Sequence, residues 1–172
     1  AGSPREAGLA SAAAGRGEIL DLLAAGADIV QLDEPYMQAR PGPAREYGLD
    51  VLKAATDGID GTLAVHICFG YAAIIHERPE GYSFLPELAG CSADQISIET
   101  AQSGLDLGVL RDLSEKSIIL GVIDLSDHEV ESAELVADRV RRAFPYASPE
   151  RITIATDCGM KYLPRASAEG KM

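Results

Sequence analysis

The chain has 172 residues, enough for one domain with a real core, since domains typically run to roughly 100–200 residues. Its composition of 47% apolar and 24% charged residues lies near the usual globular proportions, which excludes wholesale disorder and a collagen-like design. With 15 Lys+Arg against 27 Asp+Glu, the formal net charge of −12 repels phosphate backbones and anionic lipid headgroups, so neither nucleic acid nor a membrane is an expected partner.

Residues 1–17 are rich in Ala, Gly and Ser without an apolar period, so they read as a flexible lead-in, native or vector-derived, with residues 18–172 as the folded unit. Over 18–26, Ile19, Leu22 and Leu23 share one helical face, and Gly26 suits a C-cap. The β-branched run ADIVQLD follows as a strand and is closed by Asp33-Glu34-Pro35, where proline ends regular pairing. The pattern then predicts a helix over 49–55, a strand over 62–68 and a short helix over 84–89. Further strands fall at 95–98, 117–123 and 151–156, with an amphipathic helix over 133–144 between the last two. About five strands alternating with helices predict the α/β class, a parallel sheet covered by helices in an open or barrel arrangement.

No apolar run approaches the roughly 20 residues that span a bilayer, and no leader pattern is visible. Three cysteines, Cys68, Cys91 and Cys158, are odd in number and widely spaced, so they form no disulfide framework and a reducing cytoplasm is expected.

Each strand ends in polar or reactive residues: LDEP, HICFG, SIET, VIDLS and TDCGMK. In a (β/α) barrel the carboxyl ends of all strands meet on one face, so these residues would converge there. His66 and Cys68 lie two apart, which on a strand points both side chains the same way. Together with Cys158 and the strand-end Glu99 they make a nitrogen and sulfur set suited to tetrahedral zinc. The same spacing also fits two ordinary buried thiols and a histidine that merely caps a strand. Cys91, in GCSAD, has no partner by spacing and reads as a structural thiol. Nucleotide-binding loops of the G-x-x-x-x-G-K or G-x-G-x-x-G type are absent, and no G-x-S-x-G elbow surrounds Ser97.

Taken in order, LDEP, HICFG, QISIET, GVID and DCGMK resemble the C-terminal catalytic barrel of the cobalamin-independent methionine synthase family over residues 27–172. The resemblance implies a partial TIM (β/α) barrel holding about the last five of eight βα units. It implies Zn2+ as cofactor, with His66, Cys68, Glu99 and Cys158 as ligands, and Asp33 as the residue that holds the amino group of homocysteine. The implied activity is zinc-dependent methyl transfer to the homocysteine thiol, forming methionine. Zinc would deprotonate the bound thiol, since only a thiolate is a good nucleophile, and Glu99, the harder donor, is the natural ligand to yield to substrate sulfur.

Long, folate-dependent members of that family carry D-I-H where this chain has Asp124-Leu125-Ser126, with His128 two residues further on. Folate and corrinoid both stay open as the source of the methyl group, because a folate nitrogen leaves poorly without a proton donor. The residues do not separate homocysteine from coenzyme M, the acceptor used with epoxides by a relative in the superfamily. A catalytically silent half-barrel is the reading from another class, and open sheet edges would favour self-association.

Overall fold

In the computed structural model, which describes residues 2–69, 81–82 and 85–172, a capping box opens the first helix, α1 (Pro4–Ala24). The Ser3 hydroxyl accepts from the Glu6 N–H at 3.2 Å while the Glu6 carboxylate accepts from the Ser3 N–H at 2.6 Å. Pro4, at the first helical position, needs no donor there. The expected flexible lead-in is corrected by this helix: residues 4–17 are helical. Alanine has the highest helix propensity, so an Ala-rich stretch with a capped start forms a helix without an apolar period. α1 still buries Ala12 and Ile19 as it packs against the chain that follows. At its far end Gly26, at φ +99°, lets the Ala27 N–H reach Leu22 O and the Gly26 N–H reach Leu23 O, both at 3.0 Å, which satisfies carbonyls left over at the helix end.

The five expected strands all form: β1 (Ile29–Glu34), β2 (Thr62–Ile67), β3 (Gln95–Glu99), β4 (Ser117–Ile123) and β5 (Ile152–Thr156). They make one parallel sheet in the order β1-β2-β3-β4-β5. Between β1 and β2, α2 (Pro41–Pro43) runs through a π-helical turn (Ala44–Gly48) into α3 (Leu49–Thr56). The later crossovers carry α4 (Leu85–Ala89), a 3-10 segment (Leu107–Leu113) and α5 (Ala133–Arg141), and α6 (Arg165–Lys171) follows β5. Phe84, the expected start of the short helix, and Gly70 of the HICFG segment lie outside the described residues. The amphipathic helix expected to reach Phe144 stops at Arg141, because Pro145 disfavours helical backbone at the residue before it and the chain tightens into shorter turns.

Strand order decides the architecture. Right-handed crossovers between strands laid down in unbroken order place every connection on the same face, as in an arc of a barrel and unlike a doubly wound sheet. On that outer face Leu63, Val65, Ile67, Ile96, Ile98, Ile118 and Leu120 are at most 1% exposed, packed with Leu88, Leu110 and Leu113. The inner face is polar near the carboxyl ends, where the register aligns Asp33 with His66, His66 with Ser97 and Ser97 with Ile119. At the amino ends, charged side chains tie strands to loops: the Lys116 ammonium donates to Cys91 O at 2.6 Å and Ala93 O at 2.8 Å, and Arg151 Nε donates to Lys116 O at 2.9 Å. No helix among the described residues is long and apolar enough to cross a membrane.

Candidate metal centre

Four side chains from three strand ends converge above the inner face. His66 stands near the end of β2, Cys68 just beyond it, Glu99 ends β3 and Cys158 follows β5. Their ligand atoms all lie within 4.8 Å of one another, with His66, Cys68 and Glu99 buried and Cys158 half-buried. The two Sγ atoms are 3.5 Å apart. Thiolates bound at about 2.3 Å to one tetrahedral ion would stand about 3.8 Å apart, close to that separation.

The histidine is prepared for one direction of bonding. Its Nδ1 lies 2.9 Å from Ser97 Oγ, whereas Nε2 is buried without a hydrogen-bond partner. With the proton on Nδ1 and donated to Ser97, Nε2 presents a lone pair toward the sulfurs. Burial opposes charge on this ring, but Cys158, Glu99 and Asp33 outweigh it, so the His66 pKa lies above its ordinary value. Cys158 acts on the ring by proximity and charge, outside the geometry of a hydrogen bond to Nε2. In the other direction, hydrogen bonding with Cys68 and the neighbouring His66 bring the Cys158 thiol down to about 4 against the penalty of burial. An orphaned buried imidazole nitrogen, two adjacent sulfurs and a buried carboxylate fit zinc, and the soft donors disfavour magnesium or calcium.

Backbone contacts hold the carboxylate in place. The Phe69 N–H donates to Glu99 Oε1 at 3.1 Å. The Tyr82 hydroxyl accepts from the Glu99 N–H at 2.7 Å and donates to Ile67 O at 3.1 Å, and its ring stacks on Phe69 at 4.4 Å between centroids. Burial keeps this phenol well above its ordinary pKa, hence a neutral donor. Sequence reasoning passed over both Ser97 and Tyr82. Ser97 had a signal, since it lies two residues before Glu99 and so on the same face of the strand. Tyr82 had none, because its partners are backbone atoms of two other segments.

A cavity of about 260 Å³ opens beside the cluster, lined by Asp33, His66, Ser97 and Cys158 among others. Asp33 is thus brought to the wall but stands outside the four-residue cluster, and its carboxylate accepts from the Gln31 amide at 2.8 Å. Its neighbour Glu34 is used differently, accepting from the Tyr36 and Met37 N–H groups to shape the turn after β1. His128 is exposed and does not line the cavity, and half-buried Cys91 lies outside the cluster. A larger apolar groove of about 1100 Å³ runs between α5 and β5 and is lined by none of the four cluster residues.

The family described as "Cobalamin-independent synthase, Catalytic domain" matches residues 3–172. A methionine synthase of Saccharolobus islandicus is 33% identical over 158 residues, 90% of this chain and 44% of that protein. One of Saccharolobus solfataricus is 32% identical over the same share. This chain therefore spans less than half the length of these curated relatives. Among solved structures, a B12-independent methionine synthase from Shewanella sp. W3-18-1, in complex with selenomethionine, superposes with a TM-score of 0.91 at 29% identity, over 98% of this chain and 52% of that one. The open arc of five strands accordingly matches part of a TIM-type barrel.

Proposed function

Because this chain belongs to the cobalamin-independent methionine synthase family and matches its catalytic domain, we propose that His66, Cys68, Glu99 and Cys158 hold a zinc ion and that the domain serves methyl transfer to the thiol of homocysteine, forming methionine. The observation that carries this reading is the convergence of the four donors within 4.8 Å, with His66 Nε2 buried and unpartnered among them. Zinc, when bound, would keep a substrate thiol as the thiolate at neutral pH.

The chain's own residues supply the rest. Asp33, oriented by Gln31 on the cavity wall, offers a carboxylate to the ammonium group of an amino-acid substrate. Ser97 fixes the imidazole and Phe69 fixes the Glu99 carboxylate, so the donors are set before anything binds. His66 gives Nδ1 to Ser97 and turns Nε2 to the metal site, and His128 is exposed, so neither stands on the described cavity wall as a proton donor for a departing folate nitrogen. A methyl donor whose leaving group departs without a proton, such as a corrinoid, therefore suits this wall better than a folate. Two thiols that must stay reduced fit a reducing cytoplasm.

The test begins with metal. Protein dialysed against metal-free buffer should retain about one zinc ion per chain, whereas none would favour the silent half-barrel. Homocysteine methylation is then compared with methylcobalamin and methyltetrahydrofolate as donors. Alkylation of coenzyme M but not homocysteine would overturn the acceptor.

A further inference from the structure

Glu99 ends β3 and Cys158 follows β5, and these strands are not neighbours, because β4 lies between them. Ladder pairing ends at Glu99 with Gly121 on one side and at Ile123 with Thr156 on the other, after a register irregularity between Gly121 and Ile123. Sheet hydrogen bonds alone therefore do not fix how far apart these two donors sit.

Asp157, immediately before Cys158, crosses that gap. It is 0% exposed. Its Oδ1 accepts from the N–H groups of Thr100 at 3.1 Å and Ala101 at 3.0 Å, and its Oδ2 accepts from Gln102 at 2.7 Å. These are the three residues directly after Glu99. Asp157 also donates its own N–H to Ile123 O at 3.1 Å, so it grips β4 as well. The path over β4 exists because residue 121 is glycine: a Cβ there would lie 2.5 Å from Asp157 Oδ1, 2.7 Å from its Cα and 2.9 Å from Ile98 O. The Thr100 hydroxyl closes the arrangement by donating to Gly121 O at 2.5 Å.

We infer that Asp157 is a positioning residue of the metal centre, clamping the turn after Glu99 across Gly121 and thereby setting the distance between Glu99 and Cys158. This rests on the zinc reading above. Asp157 is not itself a ligand, since both its oxygens are engaged by backbone donors and it stands outside the four-residue cluster. Displacing the turn would orphan three N–H groups and a buried carboxylate at once, which makes the clamp stiff. A stiff clamp matters to an ion that accepts only a narrow range of bond lengths.

The test uses cobalt(II) as a spectroscopic substitute for zinc, with chelator competition for affinity. Asp157→Asn keeps the shape but turns one acceptor into a donor facing the Gln102 N–H. Affinity should fall about 10–100-fold, with a weakened thiolate-to-cobalt band. Lys116→Met, at the opposite ends of the strands, should lower thermal stability yet leave affinity and spectrum unchanged. Asp157→Asn binding within about twofold of the unsubstituted protein with the same spectrum overturns the inference while sparing the zinc reading. So does Lys116→Met weakening cobalt as much at an equal loss of stability. Should Asp157→Asn not fold, Thr100→Val, which removes only the bond to Gly121 O, is expected to weaken cobalt severalfold, and unchanged affinity there counts against the clamp. Absence of cobalt binding by the unsubstituted protein overturns the zinc reading and this inference with it.

Discussion

The Sγ atoms of Cys68 and Cys158 lie 3.5 Å apart although 90 residues separate them in the chain. Parallel strands bring this about, since each crossover returns the chain to the amino end and every strand delivers its last residues to the same face. Replacing either cysteine by serine should abolish zinc retention, because a hydroxyl with its far higher pKa is a poor ligand for a borderline-soft ion. Metal analysis after dialysis checks this, and stoichiometric zinc in both variants would sink the ligand assignment. Glu99→Gln should be milder, since two thiolates and an imidazole remain.

Ser97→Ala removes the partner of His66 Nδ1 and frees the ring to rotate or change tautomer. Zinc affinity should drop about tenfold, read by competition with a chelator. Ser97→Thr, which restores the hydroxyl, should recover most of it.

Tyr82→Phe keeps the stack on Phe69 but strips the hydroxyl that joins Ile67 O to the Glu99 N–H. Two backbone groups are then left unpaired, and urea unfolding should show a loss of about 1–3 kcal/mol. A loss well below that range would mean that water replaces the hydroxyl.

Glu131, just before α5, is the centre of a buried ion cluster. Its carboxylate accepts from the Lys171 ammonium at 2.6 Å, the Asp124 N–H at 2.7 Å and Arg139 Nη1 at 2.9 Å, and the side chain is 6% exposed. Burial alone would raise its pKa, but these donors outweigh burial and hold it at about 2. A carboxylate depressed on folding contributes stability that is fully present above its unfolded value and is lost as pH falls through the folded one. The protein should therefore lose up to about 3 kcal/mol from this group between roughly pH 4.5 and pH 2. Glu131→Gln should be less stable at neutral pH and show a flatter acid limb in denaturant titrations at stepped pH.

His128→Ala should leave homocysteine methylation within about twofold with any donor, since general acid catalysis lost from a true proton donor would lower it about 10²–10⁴-fold. Turnover with methyltetrahydrofolate that collapses in this variant would place His128 in the reaction after all.

The five strands and their parallel arrangement were legible in the chain because they are local signals, whereas the four clustered residues were singled out by their strand-end positions together with the resemblance of their motifs to a known family. A β-branched run ending in a polar residue marks a strand and its functional end, and two residues spaced by two share a face whatever the rest of the fold does. The helix over residues 4–17 carries no apolar period in the sequence, because alanine propensity and the Ser3–Glu6 capping box form it independently of one. What the tertiary structure alone decided is which strand ends face one another and at what distance. Tyr82 joining Ile67 to Glu99, Asp157 reaching over Gly121 to the turn at Thr100, and Lys171 meeting Glu131 are contacts to backbone or across long separations. Such partners leave no periodicity in sequence, since a backbone N–H is the same at every position and only the folded register selects which one a side chain meets.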